Sequence, residues 1–190
     1  MDLKKLAADM AKFWIQENAI IIDTETTGLS ATDEIVEISA IDCSGKVLLD
    51  TLVRPMGEIG AQAQAIHGIT YADTINAPWF DQVLGDLTGI IHDRVVVMFN
   101  ANFDTRMIHQ SARRHSRSAP NMIVHCAMNN YARYHGVWDQ DRNRYKWQSL
   151  ERAAQQMGIT VTGKAHRALT DCQTTLELIR AMAAYQPTAA

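Results

Sequence analysis

The sequence predicts an α/β fold: one mixed, five-stranded sheet with helices on both faces. Three observations carry that prediction. A nearly continuous apolar run is followed by two strand-like segments joined by short turns, the pattern of an antiparallel meander. Further along, short apolar strands alternate with helical segments, which places helices on both sides of the sheet. At 190 residues and 47% hydrophobic content, one core can be filled within one domain.

The elements follow in order. Residues 2–17 form an amphipathic helix in which Leu3, Leu6, Met10, Phe13 and Trp14 recur at helical spacing. The helix either packs on the domain through that stripe or docks on a partner or a second copy. Residues 19–23 read as a central strand buried on both faces, and Thr26-Thr-Gly-Leu-Ser as the turn after it. Residues 34–42 read as an alternating strand, with Ile35, Val36, Ile38, Ala40 and Ile41 among the polar Glu37, Ser39 and Asp42. Cys43-Ser-Gly-Lys connects to residues 47–53, and Pro55 ends that strand. After a loop, residues 77–91 form a helix with Pro78 in its first turn. Residues 94–99 and 121–124 are the last two strands, with a helix at 103–115 between them. Residues 127–135 are helical, 136–146 an exposed polar loop, 149–157 a helix ended by Gly158, and 168–184 the last long helix.

Composition narrows the chemistry. The formal charge of −3 removes the global basic footprint common in duplex-DNA binders. It leaves open a site whose positive charge comes from metal ions. Cys43, Cys126 and Cys172 are odd in number and far apart, as expected of reduced thiols in a cytoplasmic protein. The first residues lack the apolar core of a secretory signal, and no run approaches the roughly 20 apolar residues of a membrane span.

Four acids stand against segments that should be buried. Asp23 and Glu25 lie two apart on a strand, so both side chains face one way. Asp104 lies just past the strand 94–99, at a helix start, and Asp171 in the first turn of the last helix, where negative charge is tolerated. Four converging carboxylates repel one another unless cations join them. An all-oxygen set suits Mg²⁺ or Mn²⁺ better than zinc. His166 precedes Asp171 by five residues, and an imidazole of ordinary pKa accepts protons near neutral pH.

In these contexts and this order, the five residues resemble the DEDDh 3′→5′ exonucleases, a family that includes the proofreading subunit of bacterial DNA polymerase III. The resemblance spans about residues 18–182, so residues 1–17 read as an N-terminal helical extension and 18–190 as the exonuclease domain. It implies a ribonuclease-H-like fold and removal of nucleoside 5′-monophosphates from the 3′ end of single-stranded DNA. It also implies two Mg²⁺ (or Mn²⁺), with Asp23 shared between them, Glu25 and Asp171 completing one site, Asp104 the other, and His166 as general base. The family's second branch carries a tyrosine four residues before the last aspartate; Arg167 stands there, which indicates the histidine branch.

The resemblance extends to the strand end. Ile66-His67-Gly68-Ile69-Thr70 matches an element facing it, so His67 is expected on the terminal phosphate or ribose. Leu29 is expected against the terminal base, and Thr26 and Thr27 at the 3′ hydroxyl. Asn100 and Phe103 flank Asp104 as in the family. Without the resemblance, Leu29 and Phe103 are equally core residues and the threonines turn formers. Arg113, Arg114, His115 and Arg117 cluster at a helix end; Arg142, Arg144 and Lys146 lie beside Trp138, Tyr145 and Trp147. Such mixtures suit a single-stranded path or a solvated face.

Phe99 replaces a histidine frequent in relatives, and Cys126 replaces an acid, which bears on substrate choice. The alternatives that remain are an exoribonuclease, as in ribonuclease T or oligoribonuclease, a binding module with a dead site, and a proofreading or repair subunit working with a polymerase or as a homodimer.

Overall fold

The computed structural model describes residues 2–186; Met1 of the expected extension and residues 187–190 of the expected domain lie outside the described residues. Helix α1 (Leu3–Gln16) leads into strand β1 (Ile20–Thr26), then β2 (Ile35–Asp42) and β3 (Val47–Leu52). Short helices α2 (Ala61–His67) and α3 (Tyr71–Thr74) precede α4 (Phe80–Ile91), β4 (Val95–Met98) and α5 (Ala101–Arg114). The chain continues through β5 (Ile123–Cys126), α6 (Ala127–His135), the small strands β6 (Trp138–Asp139) and β7 (Arg144–Tyr145), α7 (Leu150–Gln156) and α8 (Ala168–Ala183).

The main sheet has the order β3-β2-β1-β4-β5. β1 pairs antiparallel with β2 and parallel with β4; β4 pairs parallel with β5. The expected mixed five-stranded sheet is present, with β1 at its centre. Alternation along β1 divides two apolar layers. Ile20 and Ile22 pack with Phe80, Leu87, Met107 and Ile108 of α4 and α5. Ile21 packs with Trp14, Tyr131, Leu178 and Ile179 of α1, α6 and α8. All three isoleucines are fully buried, each contributing about 1.5–3 kcal/mol by leaving water.

Several expectations are corrected. β2 does not alternate between core and solvent: all eight residues are buried, including Glu37, Ser39 and Asp42, because helices cover both faces. In α1 the buried residues are Ala7, Ala8, Ala11 and Trp14, while Leu6, Met10 and Phe13 are partly exposed, at 46%, 37% and 39%. Small alanines allow close approach to α6, where the Asn130 side chain donates to Ala7 O at 2.9 Å. Helix α4 begins at Phe80; Pro78 lies outside it, its carbonyl accepting from Arg54 N, and Gln82 caps Trp79 N. β5 is shifted two residues along because its register with β4 runs Val95↔Ile123 to Met98↔Cys126. The loop after Pro55 contains α2 and α3, both too short to show periodicity, and residues 136–146 contain the β6–β7 hairpin. Among the described residues, no helix is long and apolar enough to cross a membrane. Cys43, Cys126 and Cys172 are free thiols.

Candidate active site

The apolar half of β1 anchors it, and its polar half continues the same ladder. Asp23, Thr24 and Glu25 pair with Ser39, Ile38 and Glu37, and an irregularity precedes Thr26↔Ile35. Asp23 and Glu25 follow Ile21 in alternation, towards α8; Thr24 faces α5. The Thr24 hydroxyl donates to Asp104 Oδ1 at 2.7 Å, tying the strand to the first turn of α5. Asp104 is 3% exposed there, as deep as a core side chain. Asp171 occupies the first turn of α8. One carboxylate oxygen each from Glu25 and Asp171 and one ring nitrogen of His166 lie within 4.8 Å of one another.

Electrostatics show how closely the acids approach. Desolvation, then the charges of Asp104, Asp171, Glu25 and Glu37, push Asp23 well above the usual carboxylate range. Burial, then Asp171 and Glu37, raises Glu25 to about 8. Burial raises Asp104 to about 7 against the Thr24 hydrogen bond, and Asp171 to about 6 against the His166 charge and main-chain N–H. Among the described residues none of the four makes a salt bridge. A set of uncompensated carboxylates beside one imidazole fits hard divalent cations, which take oxygen ligands and return the acids to their ionised form.

His166 stands between two clefts. One, about 520 Å³, is lined by Ser149, Glu151, Gly163 and Asp171 besides His166. The other, about 680 Å³, is bounded by Glu25–Ser30, Gly60–Ala63, Ile66, His67, Phe103 and His166. His166 has a backbone φ of 58°, a left-handed conformation uncommon for a side-chain-bearing residue. Its Nε2 faces Glu151 Oε1 at 3.8 Å.

The structure therefore brings Glu25, Thr26, Thr27, Leu29, His67, Phe103 and His166 around one cleft. Leu29 is 77% exposed at its mouth, so it is no core residue. Four positions differ in detail from the expectation. The Thr26 hydroxyl donates to Gly28 O, the Thr27 hydroxyl to Asp33, and the Thr27 N–H to Glu34 O, so these groups shape the rim from within. At Gly28 a Cβ would lie 2.7 Å from the Asp33 carboxylate, so a side chain there would displace the acid that Thr27 and Ser30 hold. His67 is 2% exposed, and both ring nitrogens are engaged: Nδ1 accepts from Ile69 N–H, which leaves Nε2 as donor to Thr26 O at 3.1 Å. Asn100 is the exposed residue before α5 and does not line the cleft.

Three contributors were not singled out from sequence: Thr24, Glu37 and Arg106. Arg106 donates to the carbonyls of Leu29 and Ser30 and lies 5.2 Å over the Phe103 ring, bracing the cleft mouth. A visible signal existed for Glu37, an acid between Val36 and Ile38. Of the basic clusters, the first is partly structural: Arg114 pairs with buried Glu34 at 3.2 Å, and His115 packs on Trp79. In the second, Arg142 pairs with Asp139, Trp138 meets Tyr145 edge-on, and Arg144 lies 3.4 Å over the Trp147 ring.

Comparison with known proteins shows the family to which the chain belongs. Residues 20–179 match the exonuclease family model RNase_T. The chain is 42% identical over 179 residues to an uncharacterized exonuclease, CP81, of Escherichia phage 186, covering 91% of this chain and 92% of that protein. It is 33% identical over 168 residues to the DNA polymerase III subunit epsilon of Treponema pallidum, covering 86% and 75%. The structure of exonuclease X with 5′-overhanging duplex DNA superposes with a TM-score of 0.64 at 33% identity, covering 86% of this chain and 90% of that one.

Proposed function

From the premise that the chain belongs to the exonuclease family, and is a DEDDh-type exonuclease with the ribonuclease-H-like fold, we propose that it removes nucleotides from the 3′ end of single-stranded DNA. The observation that carries this is the meeting of Glu25, Asp171 and His166 beside a cleft bounded by β1, α2 and α5, with the buried Asp23 and Asp104 adding their charge to the same cluster. Asp23, Glu25, Asp104 and Asp171 would hold two Mg²⁺ or Mn²⁺. Divalent ions there supply the positive charge that offsets a reacting phosphate and eases loss of a proton from water. His166 accepts that proton. The water oxygen bonds to phosphorus, the P–O3′ bond breaks, and a nucleoside 5′-monophosphate leaves a strand shorter by one.

Leu29 and Phe103 offer apolar surface for the last base. His67 acts from behind the cleft wall, holding the Thr26 carbonyl and so the rim that Thr26 and Thr27 form. Asn100, at the start of α5, positions Asp104 through the helix rather than by touching the cleft. On this reading the chain divides into an extension 1–17 and an exonuclease domain 18–190, with α1 of the extension seated on the domain by Trp14 and its alanines. The reduced thiols are compatible with a cytoplasmic setting. The epsilon-subunit relative supports a second arrangement, in which the chain edits 3′ ends beside a polymerase.

The test uses the same oligonucleotide as DNA and as RNA, labelled at either end, with Mg²⁺ or Mn²⁺. Stepwise shortening of 5′-labelled DNA, and mononucleotide from 3′-labelled DNA, is the expected result. Faster loss of RNA makes the chain an exoribonuclease. Internal cuts, or release of labelled mononucleotide from 5′-labelled DNA at the outset, overturn the assignment.

A further inference from the structure

We propose that Glu37 and Arg167 are a positioning pair that holds His166 and Asp171 against β1. Glu37 lies on β2 directly across the ladder from Glu25 and is 3% exposed. Its carboxylate accepts from Arg167 Nε at 3.0 and 3.1 Å, from Arg167 Nη2, and from the Ala168 main-chain N–H at 2.9 Å. All its partners belong to the two residues that follow His166. Arg167 begins α8, with no capping side chain of its own; the Glu37 carboxylate supplies that cap from a neighbouring strand.

The pair answers a local problem. His166 has a left-handed backbone that costs about 1 kcal/mol or more and persists only where neighbours over-determine it. On one side, Lys164 Nζ donates to His67 O. On the other, Glu37 fixes Arg167 and Ala168. Asp171 follows one turn later, so the contact that fixes the histidine also fixes the acid. Stability alone does not call for this arrangement. A buried ion pair is often no better than apolar residues of similar size, and Glu37 adds a negative charge beside four others. Its gain is the geometry of the loop.

This inference rests on the exonuclease reading through the roles of His166 and Asp171, and its test keeps the two separable. Glu37→Gln, Arg167→Gln, Arg167→Lys and the double variant Glu37→Gln/Arg167→Gln are compared with wild type for kcat and KM on single-stranded DNA, for melting, and for amide exchange over residues 164–171. Misplacement of this kind can cost about 10²-fold, so each Gln variant should lose about 10–100-fold in kcat with KM nearly unchanged. The double variant should be no worse than the poorer single, because both remove one contact. Arg167→Lys keeps the charge without the two-pronged geometry and should recover only part of the rate. Exchange over 164–171 should quicken in both Gln variants. A raised KM confined to Arg167→Gln, with Glu37→Gln silent, makes Arg167 a phosphate contact and overturns the pairing. Lower melting with unchanged kcat per folded molecule also overturns it. A wild type inactive on every oligonucleotide sinks the exonuclease reading instead, while exchange still decides whether the loop is held by this pair.

Discussion

The two halves of β1 use one backbone for opposite ends. Ile20–Ile22 face apolar helices on both sides and are fully buried. Asp23–Thr26 continue the same ladder but carry acids whose charges repel. The first half gains free energy by folding; the second is held by it in positions that isolated carboxylates avoid. The comparison teaches that the site is a destabilised extension of a stable strand, completed by α5 and α8.

Four measurements break or sharpen this contrast. The largest effect belongs to Asp23→Asn. With Asp23 in its proposed role as a metal ligand, losing the carboxylate removes several kcal/mol of charge stabilisation, so turnover should fall by about 10³-fold or more. The same variant should melt at or above wild type when metal is chelated at pH 8, because one repelling charge is gone. A loss of stability there would dissolve the contrast between the halves.

Next comes Ile20→Ala, in the apolar half. Unfolding by denaturant should show a loss of about 2–5 kcal/mol. Turnover per folded molecule should be unchanged, and a large fall in it would mean that the two halves are not separable.

The third is the response of the metal-free protein to pH. In the folded state Glu25 titrates at about 8, Asp104 at about 7 and Asp171 at about 6, all above their unfolded values. The folded state therefore binds these protons more tightly than the unfolded chain. Their contribution is complete below the unfolded values and is lost as pH rises through 6 to 8. Melting in a chelator should fall between pH 6 and pH 8, each ~1 kcal/mol moving it by roughly 2–4 °C. Added Mn²⁺ should reduce the slope. A melting temperature that rises over this interval contradicts the crowding of the acids.

The smallest effect is that of Leu29→Ala. Covering the exposed leucine with a base is worth about 1 kcal/mol or more through the apolar area removed from water, so KM for single-stranded DNA should rise about fivefold or more. Stability should not change, since Leu29 is exposed. Unchanged KM would remove it from the substrate path.

Much of this was legible in the chain itself. The meander, the central β1 and the helices α5, α6 and α8 follow from local pattern: apolar runs and helical spacing. Asp23, Glu25, Asp104, His166 and Asp171 stood out through the family motifs they resemble, and their roles remain proposals. The short helices α2 and α3 were not legible, because one or two turns leave no periodicity. The stripe Leu6, Met10 and Phe13 misdirected the packing of α1, because an apolar pattern gives a face but not its neighbour.

What the sequence by itself determined was therefore which residues carry charge into apolar surroundings and on which elements. Tertiary structure alone decided how those groups meet. It paired Glu37 with Arg167 across 130 residues of chain, turned His67 inward to Thr26, and left Asn100 outside the cleft. The physical reason is range. Periodicity and capping act within a few residues, whereas burial, charge repulsion and hydrogen-bond partners depend on groups that only the packed sheet brings within a few ångströms.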